Sequence, residues 1–130
     1  MIRTIYLAVF TNGPNPAHWG IWVPSGGKGE LGKMIHTTGN PAVGFFLEFK
    51  RNYNLASTGT LHEVIPLGQV QDNFVSDGPV AMPETKDTTA RDRLESTATT
   101  VPPPPKSANP FDPAAPNCVR TVLESVPRYI

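Results

Sequence analysis

Cys118 is the single thiol of the chain, and His18, His36 and His62 are its three imidazoles. A cysteine attacks a carbonyl carbon as the thiolate. A neighbouring histidine takes its proton, and a third group that fixes the imidazole completes a nucleophilic triad. Cys118 lies in Ala115-Pro116-Asn117-Cys118-Val119-Arg120, where Asn117 is a good helix cap. Val119, Val122, Leu123 and Val126 follow with the spacing of a buried helical face, and Pro127 stops the pattern. A thiol in the first turn of such a helix feels the positive end of the macrodipole and the unpaired backbone N–H groups, which favour thiolate and can hold an oxyanion. A lone cysteine beside an apolar stripe is more often an inert packed residue. The two histidines set this one apart.

His18 and His36 flank a hairpin signal, Ala17 to His36, in which two strands at about 17–23 and 32–37 are joined by the glycine-rich run Pro24 to Glu30. Strand alternation puts His18, Gly20 and Trp22 on one face and Trp19, Ile21 and Val23 on the other. A hairpin symmetric about Gly27 places His18 directly opposite His36, with Cβ atoms about 4.5–5.5 Å apart. His18 is then the base and His36 its orienter. His62, between Leu61 and Glu63, is assigned a structural role. Trp19 and Asn117 are assigned to substrate binding.

The rest of the chain must position these groups. Its 130 residues make one domain, with an irregular proline-rich segment at about 70–116. Residues 2–10 are apolar almost without alternation, as in an interior strand covered on both faces. Strands follow at 42–50, where Val43, Phe45, Leu47 and Phe49 alternate with smaller or polar residues, and at 59–67, where Pro66 marks a sheet edge. Residues 89–98 read as a short helix capped by Thr89, with Asp92 at its third position. Val101 to Pro105 is a stiff polyproline spacer in preference to a ligand for a proline-binding partner.

A formal net charge of zero suggests neither nucleic acid nor a polybasic membrane anchor. One cysteine excludes an internal disulfide and most cysteine-rich zinc sites. The apolar N-terminal stretch is too short to span a bilayer and lacks the features of a signal peptide. The expectation is a cytoplasmic, reduced protein with no membrane anchor.

The segments His18-Trp19-Gly20-Ile21-Trp22-Val23, Gly32-Lys33-Met34-Ile35-His36 and Asn117-Cys118 together resemble the pattern HWxIxV, IH, NC of the circularly permuted NlpC-like papain-fold families, typified by lecithin retinol acyltransferase. The resemblance covers about a third of the chain. It implies that His18 is the base, that His36 completes the triad and that Cys118 forms a thioester. It also implies an α+β fold, an antiparallel sheet of about five strands with the cysteine's C-terminal helix packed on it. Where those acyltransferases continue NCEHFV, this chain has Asn117-Cys118-Val119-Arg120-Thr121-Val122. The stretch before the cysteine, with Asn109-Pro110-Phe111-Asp112-Pro113, also resembles segments of small fungal proteins.

The reading that follows is a cysteine-dependent hydrolase or acyltransferase acting on an amide, ester or thioester of a small molecule or acyl group, without metal or organic cofactor. The alternatives are a non-catalytic binding module and, more weakly, a peptidase of ubiquitin-like tails.

Overall fold

The computed structural model describes residues 2–12, 15–27, 29–40, 42–57, 62–77, 83–102 and 127–128. Its strands are β1 (Ile2–Asn12), β2 (Asn15–Pro24), β3 (Leu31–Asn40), β4 (Gly44–Asn54), β5 (His62–Gln71) and β6 (Thr85–Asp87). They form one sheet in the order β5-β1-β2-β3-β4-β6, with every neighbouring pair antiparallel. β1 is interior, as its continuous apolar run requires, and Pro66 sits in the edge strand β5. Among the described residues no helix is long and apolar enough to cross a membrane.

The expected α+β class does not hold. The chain is dominated by a six-stranded antiparallel sheet, and its described α-helical residues are the six of α1 (Arg93–Ala98) and Pro127 and Arg128, where the sequence pattern is expected to stop. The helix expected to carry Cys118, at 117–126, lies outside the described residues, as do residues 103–116. The extra strand is β6, three residues inside a stretch full of turn-formers, too short to carry any periodicity. The cap of α1 also differs. Asp92, not Thr89, is the cap, and its Oδ1 accepts from the Glu95 N–H at 2.7 Å. Asp92 is additionally bound to Lys33 and to the Ser76 N–H, so tertiary anchoring sets where the helix starts.

Each face of the sheet has its own core. On one face Ile5, Leu7, Ile21, Val23, Ile35 and Phe49 pack with Val70, Val75 and, from α1, Leu94 and Ala98. On the other, Ala8, Trp22 and Met34 pack with Leu55 and the rings of Tyr6, Phe10 and Tyr53. α1 contributes only two apolar side chains, and a buried ion cluster adds to its attachment. Lys33 of β3 pairs with Asp92 and, at 2.7 Å, with Glu95, which is fully buried. Arg51 of β4 pairs with Glu95 and, at 3.1 Å, with Asp87.

One irregularity in β4 places these charges. Gly32 pairs with Tyr53 and Met34 with Lys50, so β4 carries one residue more than β3 across this interval. Asn52 takes up the excess with φ 53, a left-handed conformation that asparagine tolerates better than most residues. Lys50 and Tyr53 therefore lie on the same face, the Lys50 ammonium 5.0 Å from the Tyr53 ring centroid. Arg51 points to the other face and meets Glu95.

Candidate active site

The hairpin axis lies one residue later than a loop symmetric about Gly27 requires. β2 and β3 pair Gly20 with His36, Trp22 with Met34 and Pro24 with Gly32, so His18 is not the direct partner of His36. The loop is asymmetric, a 3-10 turn at Ser25–Gly27 followed by Gly29 at φ 93, and a pair containing a glycine closes it. Gly32 is needed there, since a Cβ on it would stand 2.3 Å from the Val23 carbonyl oxygen. His18 and His36 are instead diagonal neighbours on one face, a separation that ring side chains can span.

They meet. His18 Nε2 lies 2.9 Å from His36 Nδ1, with ring centroids 5.1 Å apart at 86°. Gly20, directly across from His36, presents no side chain between them. Behind His36 stands Glu48, its register partner on β4, with Oε1 2.8 Å from His36 Nε2. His36 is 7 % exposed and the Glu48 side chain 13 %.

The carboxylate decides the tautomers. It accepts only, so His36 Nε2–H donates to it and His36 Nδ1 keeps a lone pair. His18 then donates its Nε2–H to that lone pair, and His18 Nδ1 is left unprotonated, with no hydrogen-bond partner among the described residues. Burial first, then the positive fields of His36 and Lys50, push His18 down to a pKa of about 4. Burial also lowers His36, with the Lys50 and Lys86 charges acting in the same direction and Glu48 opposing them. Both rings are neutral at pH 7. The order of donors and acceptors is that of a proton acceptor anchored to a carboxylate: His18 Nε2–H donates to His36, and His36 Nε2–H donates to Glu48.

The family comparison covers this whole site. A model for a family of unknown function, DUF6540, matches residues 5–129. The chain belongs to that family. No curated protein and no solved structure matches it. The matched region of the DUF6540 chain includes His18, His36, Glu48 and Cys118.

Not every residue expected at the site is brought there. Trp19 packs with the apolar core on the α1 face, opposite the imidazoles. Asn117 and Cys118 fall outside the described residues. His62 contacts the far side of Phe10, whose ring lies 6.1 Å from His62 and 6.0 Å from His18. Glu48 is the member that sequence reasoning missed. Its signal was available as a lone acid in Phe45-Phe46-Leu47-Glu48-Phe49. Among the described residues no group of three or more His, Cys, Asp or Glu side chains could hold a metal ion.

The depressed imidazoles make the DUF6540 fold sensitive to acid. The unfolded chain takes protons as pH falls through about 6.5, while folded His18 resists until about 4. This contribution to stability is therefore fully present above pH 6.5 and lost as pH falls toward 4, by at most about 1.4 kcal/mol per pH unit for one such group. Asp87, whose carboxylate is held below the usual range by hydrogen bonds from Arg91, the Thr89 N–H and Arg51, titrates beneath this window. Urea midpoints measured from pH 7.5 to 4.5 should hold level down to about pH 6.5 and then fall in the parent protein, and fall less steeply in His18→Asn.

Proposed function

We propose that this DUF6540 protein is a cysteine-dependent hydrolase or acyltransferase acting on an ester, thioester or amide. The supporting observation is the chain His18–His36–Glu48, which leaves one neutral, unprotonated nitrogen at the end of an anchored relay. In this reading His18 Nδ1 takes the proton of Cys118 and the thiolate attacks the acyl carbonyl. The same proton then passes to the leaving group as the tetrahedral adduct collapses to a thioester. Water or an acceptor alcohol or amine, deprotonated by His18, releases the acyl group in the second half-reaction. His36 orients His18, and Glu48 extends the triad implied by the resemblance to the NlpC-like superfamily. The substrate is a small acyl compound. The place of work is the cytoplasm, where a solitary thiol stays reduced.

The test is a panel of activated esters, thioesters and amides read by intact-protein mass. The parent protein should gain the acyl mass on Cys118, and Cys118→Ala should gain none while still binding substrate. A panel that leaves the parent unmodified while a ligand still binds beside His18 makes the protein a binding module instead.

A further inference from the structure

β4 treats facing cations differently on its two faces. On the α1 face Lys33 and Arg51 share three carboxylates, Asp92, Glu95 and Asp87. On the imidazole face Lys50 of β4 is the direct cross-strand partner of Lys86 of β6. No carboxylate among the described residues forms an ion pair with either lysine. Like charges directly opposite one another destabilise a sheet. The Tyr53 ring under the Lys50 ammonium favours the cation but does not neutralise it.

The pair is also well placed. Lys50 stands two residues along β4 from Glu48 and on the same face, roughly 6.5–7 Å along the strand. We propose that Lys50 and Lys86 form a subsite for an anionic oxygen group, carboxylate or phosphate, carried by the acyl substrate a few atoms from its reacting carbonyl. This rests on the acyl-transfer reading and narrows its substrate class to anionic acyl compounds.

Occupation of the subsite also changes the base. The Lys50 charge opposes protonation of both imidazoles, and Lys86 opposes that of His36, while Glu48 favours it. An anion between the two ammonium groups cancels part of that field, so His18 becomes a stronger base when the charged end of a substrate is seated. The subsite therefore links recognition to proton transfer.

The experiment has two arms. In the first, the mono-4-nitrophenyl ester of glutaric acid is compared with its methyl-capped neutral counterpart. The parent protein should favour the charged ester in kcat/KM by about ten- to hundredfold, the range of a charge-assisted hydrogen bond. The double variant Lys50→Gln/Lys86→Gln should lose that preference; because it also lifts the Lys50 charge from His18, the quantity compared is the ratio between the two esters, and a ratio that persists overturns the subsite. In the second arm, millimolar inorganic phosphate or glutarate is titrated into Cys118→Ala, with the imidazole ring protons followed by NMR against pH.

Either anion should raise the apparent pKa of His18 in Cys118→Ala, and neither should do so once the lysine substitutions are added. A response to phosphate alone or to glutarate alone identifies which anion the substrate carries. A shift that persists in the lysine variant, or no shift with either anion, overturns the subsite. Anion-dependent shifts in a protein that turns over neither ester leave the subsite standing and overturn the acyl-transfer reading.

Discussion

Replacing His18 by alanine should lower kcat toward an activated thioester by about 10²–10⁴-fold, the usual contribution of a positioned general base. Iodoacetamide labelling of Cys118 near neutral pH should slow in the same variant, because the thiol loses its proton acceptor. The distinguishing member of the series is Glu48→Gln. An amide can donate as well as accept, so it no longer forces the proton onto His36 Nε2. Where the amide donates, His36 must carry its proton on Nδ1 and His18 must flip to match, placing its own proton on Nδ1 where the base should be free. The expected loss lies between that of a mild orienting defect and that of His18→Ala, with folded content intact. Nitrogen-15 spectra of the rings should show His18 Nδ1 unprotonated in the parent and partly protonated in Glu48→Gln. A parent spectrum with the proton on His18 Nδ1 rules out the relay direction drawn above.

The second large effect is on stability. Glu95→Ala should cost about 3–5 kcal/mol, the range for breaking one side of a buried ion network. Glu95 is fully buried and binds Lys33 at 2.7 Å, both ends of the Arg51 guanidinium, and the Arg91 N–H at 2.8 Å. Its removal leaves Lys33, itself 4 % exposed, with Asp92 as its remaining carboxylate. Small domains hold only about 5–15 kcal/mol in total, so the urea midpoint should move far down. Adding Lys33→Met to Glu95→Ala should recover part of the loss, because the cation left short of a partner is then gone as well. Additive losses from the two changes contradict a direct coupling between these side chains.

The face on which the histidines lie was legible from alternation alone, and the reason is arithmetic. Moving a hairpin axis by one residue shifts every pairing by two, which preserves the face while changing the partner. His18 and His36 therefore stayed together although Gly20, not His18, faces His36. The same parity had already put Trp19 on the opposite face, where the structure has it. Glu48 was overlooked because an acid in an alternating strand reads as its solvated half. Only the β3–β4 register reveals that it faces His36. The cap of α1 was misplaced because Asp92 is fixed by Lys33 and Ser76, neighbours distant in sequence. β6 carried no period at all, yet it supplies Lys86 and Asp87.

The register of β3 against β4 has a consequence for which pairings the chain can accept. β3 contributes Lys33 to one face and His36 to the other, and β4 contributes Arg51 and Glu48 in the same way. If β4 zips one residue out of step, Glu48 turns toward the apolar core, Arg51 turns away from Glu95, and both networks lose a member at once. The wrong pairing is thus penalised twice, on opposite sides of the sheet, by groups that have no contact with each other. A β3–β4 pairing that satisfies Lys33 and Arg51 on one face is also the pairing that sets Glu48 against His36 on the other.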